Sequence, residues 1–237
     1  MAEKASGMKL RLLTYNIHGA KGTDRRCDFE RIGSFLKVQN IDIALLQEFD
    51  TRPKNRSTEN DIKDMKSDHF SYFEAAPTIR GSHGWYGNAI FSKFPISKSS
   101  IIDISAPGRE PRNILDAFIE TPKGTLRVVN THKGLRPSER SLQYEILHRL
   151  LDIKCELPLI LGGDINEWAL LTGPIKKINE VLKPISPGPT FPTFYPMFNL
   201  DRMWCRPQHL VTSAQVLRTK ETRVYSDHYP LLAEIEL

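Results

Sequence analysis

The chain has 237 residues, of which 40% are hydrophobic and 26% charged, with a net charge of +5 and an isoelectric point near 9.1. That is enough to bury one substantial core, and with no Gly/Ser linker, repeat or charge block it does not read as a disordered or multidomain chain. Its apolar runs are too short to span a bilayer, and Cys27, Cys155 and Cys205 are too scattered for a disulfide framework or a structural zinc site, which fits a reducing, cytoplasmic setting.

Residues 1–7 (MAEKASG) carry no apolar secretory segment and read as a loose tail before a single domain over residues 8–237. Residues 10–16 (LRLLTYN) alternate as a strand does. Phe29, Ile32, Phe35 and Leu36 recur at helical spacing, so residues 28–39 form an amphipathic helix with Asp28 as its cap. Residues 41–47 are a buried strand ending in Glu48, and the polar stretch 51–67 is a surface loop with one helical turn. Strand-like runs at 85–92, 97–103, 114–120 and 126–131 are punctuated by Pro95, Pro107, Pro122 and Gly124. Pro137 opens a helix whose apolar face is Leu142, Ile146, Leu147, Leu150 and Leu151. A buried strand at 158–162 follows, then a short helix near 175–182 and strands at 200–204, 210–216 and 231–236. Helices flank some strands while other strands run consecutively, the pattern of mixed sheets covered by helices in an α/β sandwich.

Polar residues gather where these strands end: Asn16, Glu48, His132, Asp164 with Asn166, Asp201, and Asp227-His228. Each has a bland reading. Asn16 and Asp164-Ile165-Asn166 suit turns, Glu48 is an acid leaving a strand, and His132 alone is a satisfied core histidine. Asp201 is harder to dismiss, because Leu200, Met203 and Trp204 bury it and a buried acid needs a partner. Together they form a chemical inventory: hard oxygen ligands for magnesium, histidines to move protons, acids to orient them and amides to fix water and substrate. That inventory suits attack by water on a phosphoryl group.

The ordered set TYNIHG, LLQEFD, YGNAIFSKFPI, REPR, NTHKGLRPSER, LILGGDIN, TFPTFYPMFNLDRMW and YSDHYPLLAEI runs from about Lys9 to the C-terminus. It resembles the endonuclease/exonuclease/phosphatase superfamily, and most of all its small bacterial members. A lone LQE or SDH is weak; the set in this order is specific. The resemblance implies a four-layered α/β sandwich, two mixed β-sheets packed face to face with helices outside. It also implies a magnesium-dependent hydrolase of phosphate esters, with manganese as the alternative ion. By that resemblance Glu48 is the principal metal ligand, with Asn16 beside it and Asp227 assisting. Asp164 and Asn166 hold the attacking water, and His228, held by Asp201, faces the scissile phosphate; either Asp164 or His228 is the base. His132 contacts a phosphoryl oxygen or protonates the leaving group, and Arg109 and Arg112 clamp a non-bridging oxygen.

Two positions depart from the family's wording. Asn88 stands where the deoxyribonuclease branch has a glutamate paired with the histidine, so it is expected at the substrate phosphate, orienting His132 without stabilising its cation. Lys133 replaces the leucine that usually follows NTH, and points either to an anionic substrate or to solvent. The short span between Asn166 and Asp201 leaves no room for large DNA-gripping loops, and no membrane anchor is evident. A monomeric phosphodiesterase acting on a small or lipid head-group ester is therefore favoured. A nuclease on DNA or RNA, a phosphomonoesterase and an inactive binding module are the alternatives.

Overall fold

Successive side chains on a strand point to opposite faces, and the first strand sorts its residues accordingly. Leu10 and Leu12 join one apolar cluster while Leu13 and Tyr15 join another. In the computed structural model, which describes residues 7–53, 56–153 and 155–237, this alternation builds two stacked sheets. Residues 1–6 of the expected tail lie outside the described residues. The first half contains β1 (Lys9–Asn16), α1 (Phe29–Val38), β2 (Ile43–Asp50), α2 (Thr58–Lys66), β3 (Tyr72–Arg80), β4 (Trp85–Ser92) and β5 (Ile96–Asp103). There follow β6 (Asn113–Thr121), β7 (Gly124–His132), α3 (Pro137–Asp152), β8 (Leu159–Asp164), α4 (Gly173–Val181) and β9 (Lys183–Ile185). The chain closes with β10 (Asp201–Arg206), β11 (Val211–Val216), α5 (Thr222–Tyr225) and β12 (Leu231–Glu236).

One six-stranded sheet has the order β11-β12-β1-β2-β4-β3 and the other β5-β6-β7-β8-β10-β9. Each is mixed, with parallel pairs β1–β2 and β7–β8 among antiparallel neighbours. Leu12, Leu45 and Ile90 of the first sheet meet Leu115, Val128 and Met203 of the second in the central core. The outer face of the first sheet is covered by α1 through Phe29, Ile32 and Leu36, and that of the second by α3 and α4 through Leu147, Leu151 and Ile178. This is the four-layered α/β sandwich.

A gradient of polarity runs along the inner faces and positions the site. On β1 the inner residues are Leu10, Leu12, Thr14 and Asn16; on β7 they are Leu126, Val128, Asn130 and His132. Apolar residues fill the bottom, neutral hydrogen-bonding groups the middle, and ionisable groups the rim. The middle layer is tied together through its amide nitrogens: Gln47 Nε2 donates to Asn130 Oδ1 at 2.7 Å and to Thr14 Oγ1 at 3.0 Å, while Asn130 Nδ2 donates to the carbonyls of Leu46 and Ala89. The amide nitrogens paired in this way avoid the desolvation cost of an unmatched donor, while Gln47 Oε1 is buried without a hydrogen-bond partner among the described residues.

Some elements follow the sequence reading and others differ from it. Asp28 caps α1, accepting from Arg31 N at 3.0 Å. The stretch read as a loop contains α2, capped by Ser57 and packed on α1 through the buried Met65; with Ile62 and Met65 as its only large apolar residues, its periodic signal is weak. Strand β3 went unread because Pro77 interrupts it, and Pro77 sits where the pairing to β4 slips. On α3, Leu142 is exposed and the buried face carries Arg140, Gln143 and Tyr144 beside Leu147 and Leu151. Met8 pairs with Leu237 through both backbone hydrogen bonds, at 2.9 and 3.0 Å. Among the described residues no helix is long and apolar enough to cross a membrane, and Cys27, Cys155 and Cys205 are unpaired.

Candidate active site

Two irregular positions deliver acids to the rim. On β2, alternation with Gln47 facing inward would turn Glu48 outward. Instead the pairing with β4 slips between Leu46 and Phe49, and Glu48 takes the left-handed conformation with φ 55°. A bulge of this kind re-aims a side chain, and here it carries the Glu48 carboxylate into the cleft. On β8, Gly163 has φ 153°, and a Cβ there would stand 1.8 Å from the carbonyl oxygen of Thr131. Only glycine fits, which explains the second glycine of LILGGDIN. Beyond it Asp164 Oδ1 accepts from Asn166 N at 2.9 Å, and Asn166 closes the turn at φ 51°.

The rim groups touch in a continuous chain. Asn16 Nδ2 donates to Glu48 Oε1 and to Asp164 Oδ2, both at 3.0 Å. His228 Nδ1 lies 2.7 Å from Asp201 Oδ2, and its Nε2 faces Asp164 Oδ2 at 3.8 Å. His132 Nε2 lies 3.5 Å from Asp164 Oδ2 and 3.9 Å from Glu48 Oε1. Arg112 donates to His132 Nδ1 at 3.1 Å. A guanidinium cannot accept, so Nδ1 is the acceptor and Nε2 carries the hydrogen in the neutral ring. Asn166 Nδ2 donates to Lys133 O at 2.9 Å and sits 3.2 Å from His132 Nε2. These groups open into a cleft of about 310 Å³, also lined by Tyr86, Glu110, Leu135, Trp168, Phe191, Leu200 and Asp227. A neighbouring groove of about 590 Å³ shares Glu48, Tyr86 and Glu110 and is bordered by His18.

The surroundings set the charges. Burial lowers the His228 pKa, but Asp201 and Asp164 outweigh it and push the value up to about 10, so this ring is a cation at neutral pH. His132 is driven the other way, well below the usual imidazole value, by burial and then by Arg112 and His228. Asp164 is raised to about 6, chiefly by burial and further by Asp201, against the pull of His228. Asp201 Oδ1 is buried and has no hydrogen-bond partner among the described residues, so its pairing is concentrated on Oδ2 and His228.

The structure therefore brings together Asn16, Glu48, His132, Asp164, Asn166, Asp201 and His228, with Asp227 on the cleft wall and 3.5 Å from His18 Nδ1. The arginine pair splits. Arg112 is buried under His132 and ion-paired to Glu110 at 3.2 Å, whereas Arg109 is exposed and does not line the cleft. Asn88 is also displaced from its expected place at the phosphate. It lies one inner-face step below the rim, in the amide layer, where it donates to Asn113 Oδ1 at 2.9 Å, and Arg112 holds the ring nitrogen assigned to it. Lys133 points neither to substrate nor to solvent: its ammonium is fully buried over the ring of Tyr144. The sequence reading missed Glu110, Leu135, Trp168 and Phe191 as cleft residues, although Glu110, Leu135 and Phe191 lie inside the quoted motifs.

Among the described residues no group of three or more His, Cys, Asp and Glu side chains is disposed as a metal cage. An open site fits better. Glu48, Glu110, Asp164 and Asp227 face the cleft against Arg112 and His228, an acidic wall that repels an anionic ester unless a cation intervenes. The donors are hard oxygens, suited to magnesium or manganese held by one or two carboxylates with water completing the shell. Asn16 gives its nitrogen to the carboxylates and its oxygen to His18 N at 3.0 Å. As placed, it holds Glu48 rather than offering an oxygen to an ion.

Three comparisons bear on this arrangement. The model of the Endonuclease/Exonuclease/phosphatase family matches residues 13–228. The chain is 28% identical to the uncharacterized protein YbhP of Escherichia coli (strain K12) over 257 aligned residues, covering 100% of both. Among solved structures it is similar to an endonuclease/exonuclease/phosphatase from Beutenbergia cavernae DSM 12333, with a TM-score of 0.79, 19% identity, and coverage of 97% of this chain and 72% of that one. It is also similar to the mannosyl-6-phosphatase Bt3783 of Bacteroides thetaiotaomicron VPI-5482, with a TM-score of 0.75, 20% identity, and coverage of 95% and 99%. At these identities the two structures speak for the fold.

Proposed function

The chain belongs to the endonuclease/exonuclease/phosphatase family, and from that premise we propose that it is a divalent-metal-dependent hydrolase of phosphate esters, of the phosphodiesterase type. The observation that carries this reading is the contact chain Glu48–Asn16–Asp164–His228–Asp201, with His132 against the same Asp164 oxygen. Glu48 is the residue that would hold the ion, with Asp227 lining the same cleft. A bound divalent ion supplies Lewis-acid stabilisation of the negative charge that develops on the phosphoryl group and the leaving oxygen.

The chain's own residues do the rest. Asp164, ionised at neutral pH with its pKa raised toward neutrality, orients the attacking water and takes its proton, while Asn166 N pins one of its oxygens. His228, protonated and fixed by Asp201, presents Nε2–H to a non-bridging oxygen and is not available as the base. His132, neutral with Nδ1 occupied by Arg112, donates Nε2–H to a second phosphoryl oxygen. It gives a hydrogen bond and not a proton.

The test is turnover of purified protein with bis-p-nitrophenyl phosphate, p-nitrophenyl phosphate, plasmid DNA and RNA, each with magnesium and with excess chelator. Hydrolysis is expected with magnesium alone, with the diester preferred over the monoester. Asp164→Asn should lower turnover by about a hundredfold or more. Full activity in chelator would overturn the proposal.

A further inference from the structure

A helix that only roofs a sheet is best served by apolar side chains, since a buried polar group costs free energy unless it is paired. The inner face of α3 departs from this in its first two turns, where Glu139, Arg140 and Gln143 are buried. Two of them touch the backbone that leaves β7. Gln143 Oε1 accepts from Gly134 N at 2.8 Å and Arg140 Nη1 donates to Leu135 O, just beyond His132. The same guanidinium turns Nη2 and Nε to the two carboxylate oxygens of Glu167, at 3.4 Å each. Glu167 follows Asn166 beyond β8, and its backbone oxygen accepts from Arg202 Nη2 at 3.0 Å. Between these two segments lie the contacts that set the site. Lys133 N donates to Asp164 O at 2.9 Å, Asn166 Nδ2 donates to Lys133 O at 2.9 Å, and that nitrogen stands 3.2 Å from His132 Nε2.

We propose that Arg140 is a positioning residue for ester hydrolysis, bridging the segment after His132 to the segment after Asn166 so that the phosphoryl-facing ring and the water-holding turn keep a fixed spacing. The inference rests on the phosphoesterase reading and adds to it a residue that does not line the cleft. Stability gives a poor account of this polar face. Taking two charges out of water offsets much of their attraction, and replacing a buried ion pair by neutral residues of similar volume is often neutral or stabilising. The 3.4 Å geometry is loose. Gln143 Nε2 and Lys133 Nζ, buried beside the pair, have no hydrogen-bond partner among the described residues, which adds to the cost. Position gives the better account, because a displacement of about 1 Å at reacting groups can cost on the order of a hundredfold in rate. A planar guanidinium with several donors can hold a carbonyl and a carboxylate together; a single ammonium lacks that fork.

Two variants separate positioning from folding. Arg140→Met combined with Glu167→Gln removes both charges at once and leaves no buried ion unpaired. It should keep the wild-type urea midpoint, while kcat on bis-p-nitrophenyl phosphate with magnesium falls about tenfold to a hundredfold and KM stays within about twofold. Arg140→Lys keeps a charge opposite Glu167 but loses the fork, and its kcat should fall about tenfold. Leu151→Ala, near the far end of α3, is the control: its urea midpoint should drop with kcat unchanged. In isotope-labelled protein the NMR resonances of the His132 ring and the Asn166 side-chain amide should move in both Arg140 variants and stay in place in Leu151→Ala. Wild-type kcat in either Arg140 variant overturns the proposal, as do unmoved resonances or an equal loss of kcat in the control. If the wild type hydrolyses no ester with magnesium, the phosphoesterase reading fails by itself, and the resonances still decide whether Arg140 holds the two segments.

Discussion

Two histidines about one carboxylate are shifted in opposite directions: burial disfavours the cation of both, Arg112 adds to that at His132, and Asp201 with Asp164 reverses it at His228. His228 Nδ1 meets Asp201, whereas His132 Nδ1 meets Arg112. Replacing Asp201 by Asn removes the charge while keeping the shape. The His228 pKa, followed by NMR, is then expected to fall, and turnover to drop by about tenfold to a hundredfold as the phosphate-facing cation is lost. An unchanged titration would uncouple the pair. The same pair makes stability depend on pH. The folded value of about 10 lies above the ordinary 6.5, so the stabilisation is complete below about pH 6.5 and is lost as pH rises through 10. Denaturant melts between those limits should show wild type losing on the order of a few kcal/mol more than Asp201→Asn.

At the scale of the element, the site depends on the two places where regular strand geometry fails. Gly163→Ala places a methyl against the Thr131 carbonyl at a φ of 153°. The expected loss is on the order of 3 kcal/mol or more, read from the urea midpoint, because the clash is with backbone and cannot be relieved by a rotamer. The bulge at Glu48 makes the opposite prediction. Asparagine tolerates the left-handed region better than glutamate, and the change removes a carboxylate that shares Asn16 with Asp164. Glu48→Asn is therefore expected to fold about 1 kcal/mol more stably and to be inactive. Magnesium should raise the melting temperature of wild type but not of this variant, since an ion that binds only the folded state stabilises it by mass action. An equal shift in both would place the ion elsewhere.

Over the whole molecule, charge is distributed against the grain of the net +5. Acids face the cleft, Arg112 is buried beneath it and Lys133 is sealed behind it. A duplex therefore finds few aligned phosphate contacts along the mouth. Binding to DNA, measured at several ionic strengths, is expected to show a salt slope of about three contacts or fewer, each contributing ~0.9 to the logarithmic slope. A slope corresponding to about six or more contacts would return nucleic acid to the front of the substrate classes.

The sequence by itself determined an α/β sandwich of mixed sheets, and its ordered motifs, through their resemblance to the family, implied the two facing sheets and most of the rim. Alternation is legible along β1, whereas β2 and β8 are continuous apolar runs, and polar residues stand where these strands and β7 end. Asn16, His132 and Asp164 were legible on that ground. Tertiary structure decided what depends on register between strands distant in sequence. Glu48 reaches the cleft through a one-residue slip against β4, while Asn88 falls into the amide layer and leaves His132 to Arg112. Lys133 is buried because α3 lays Tyr144 across it, and the loops after β8 and before β10 meet because Trp168 and Arg202 clasp two segments that no local pattern joins. Local periodicity reports which way a side chain points along its own strand. The height at which it stands against its neighbours, and therefore its partner and charge, is set by packing between segments that only the folded chain brings together.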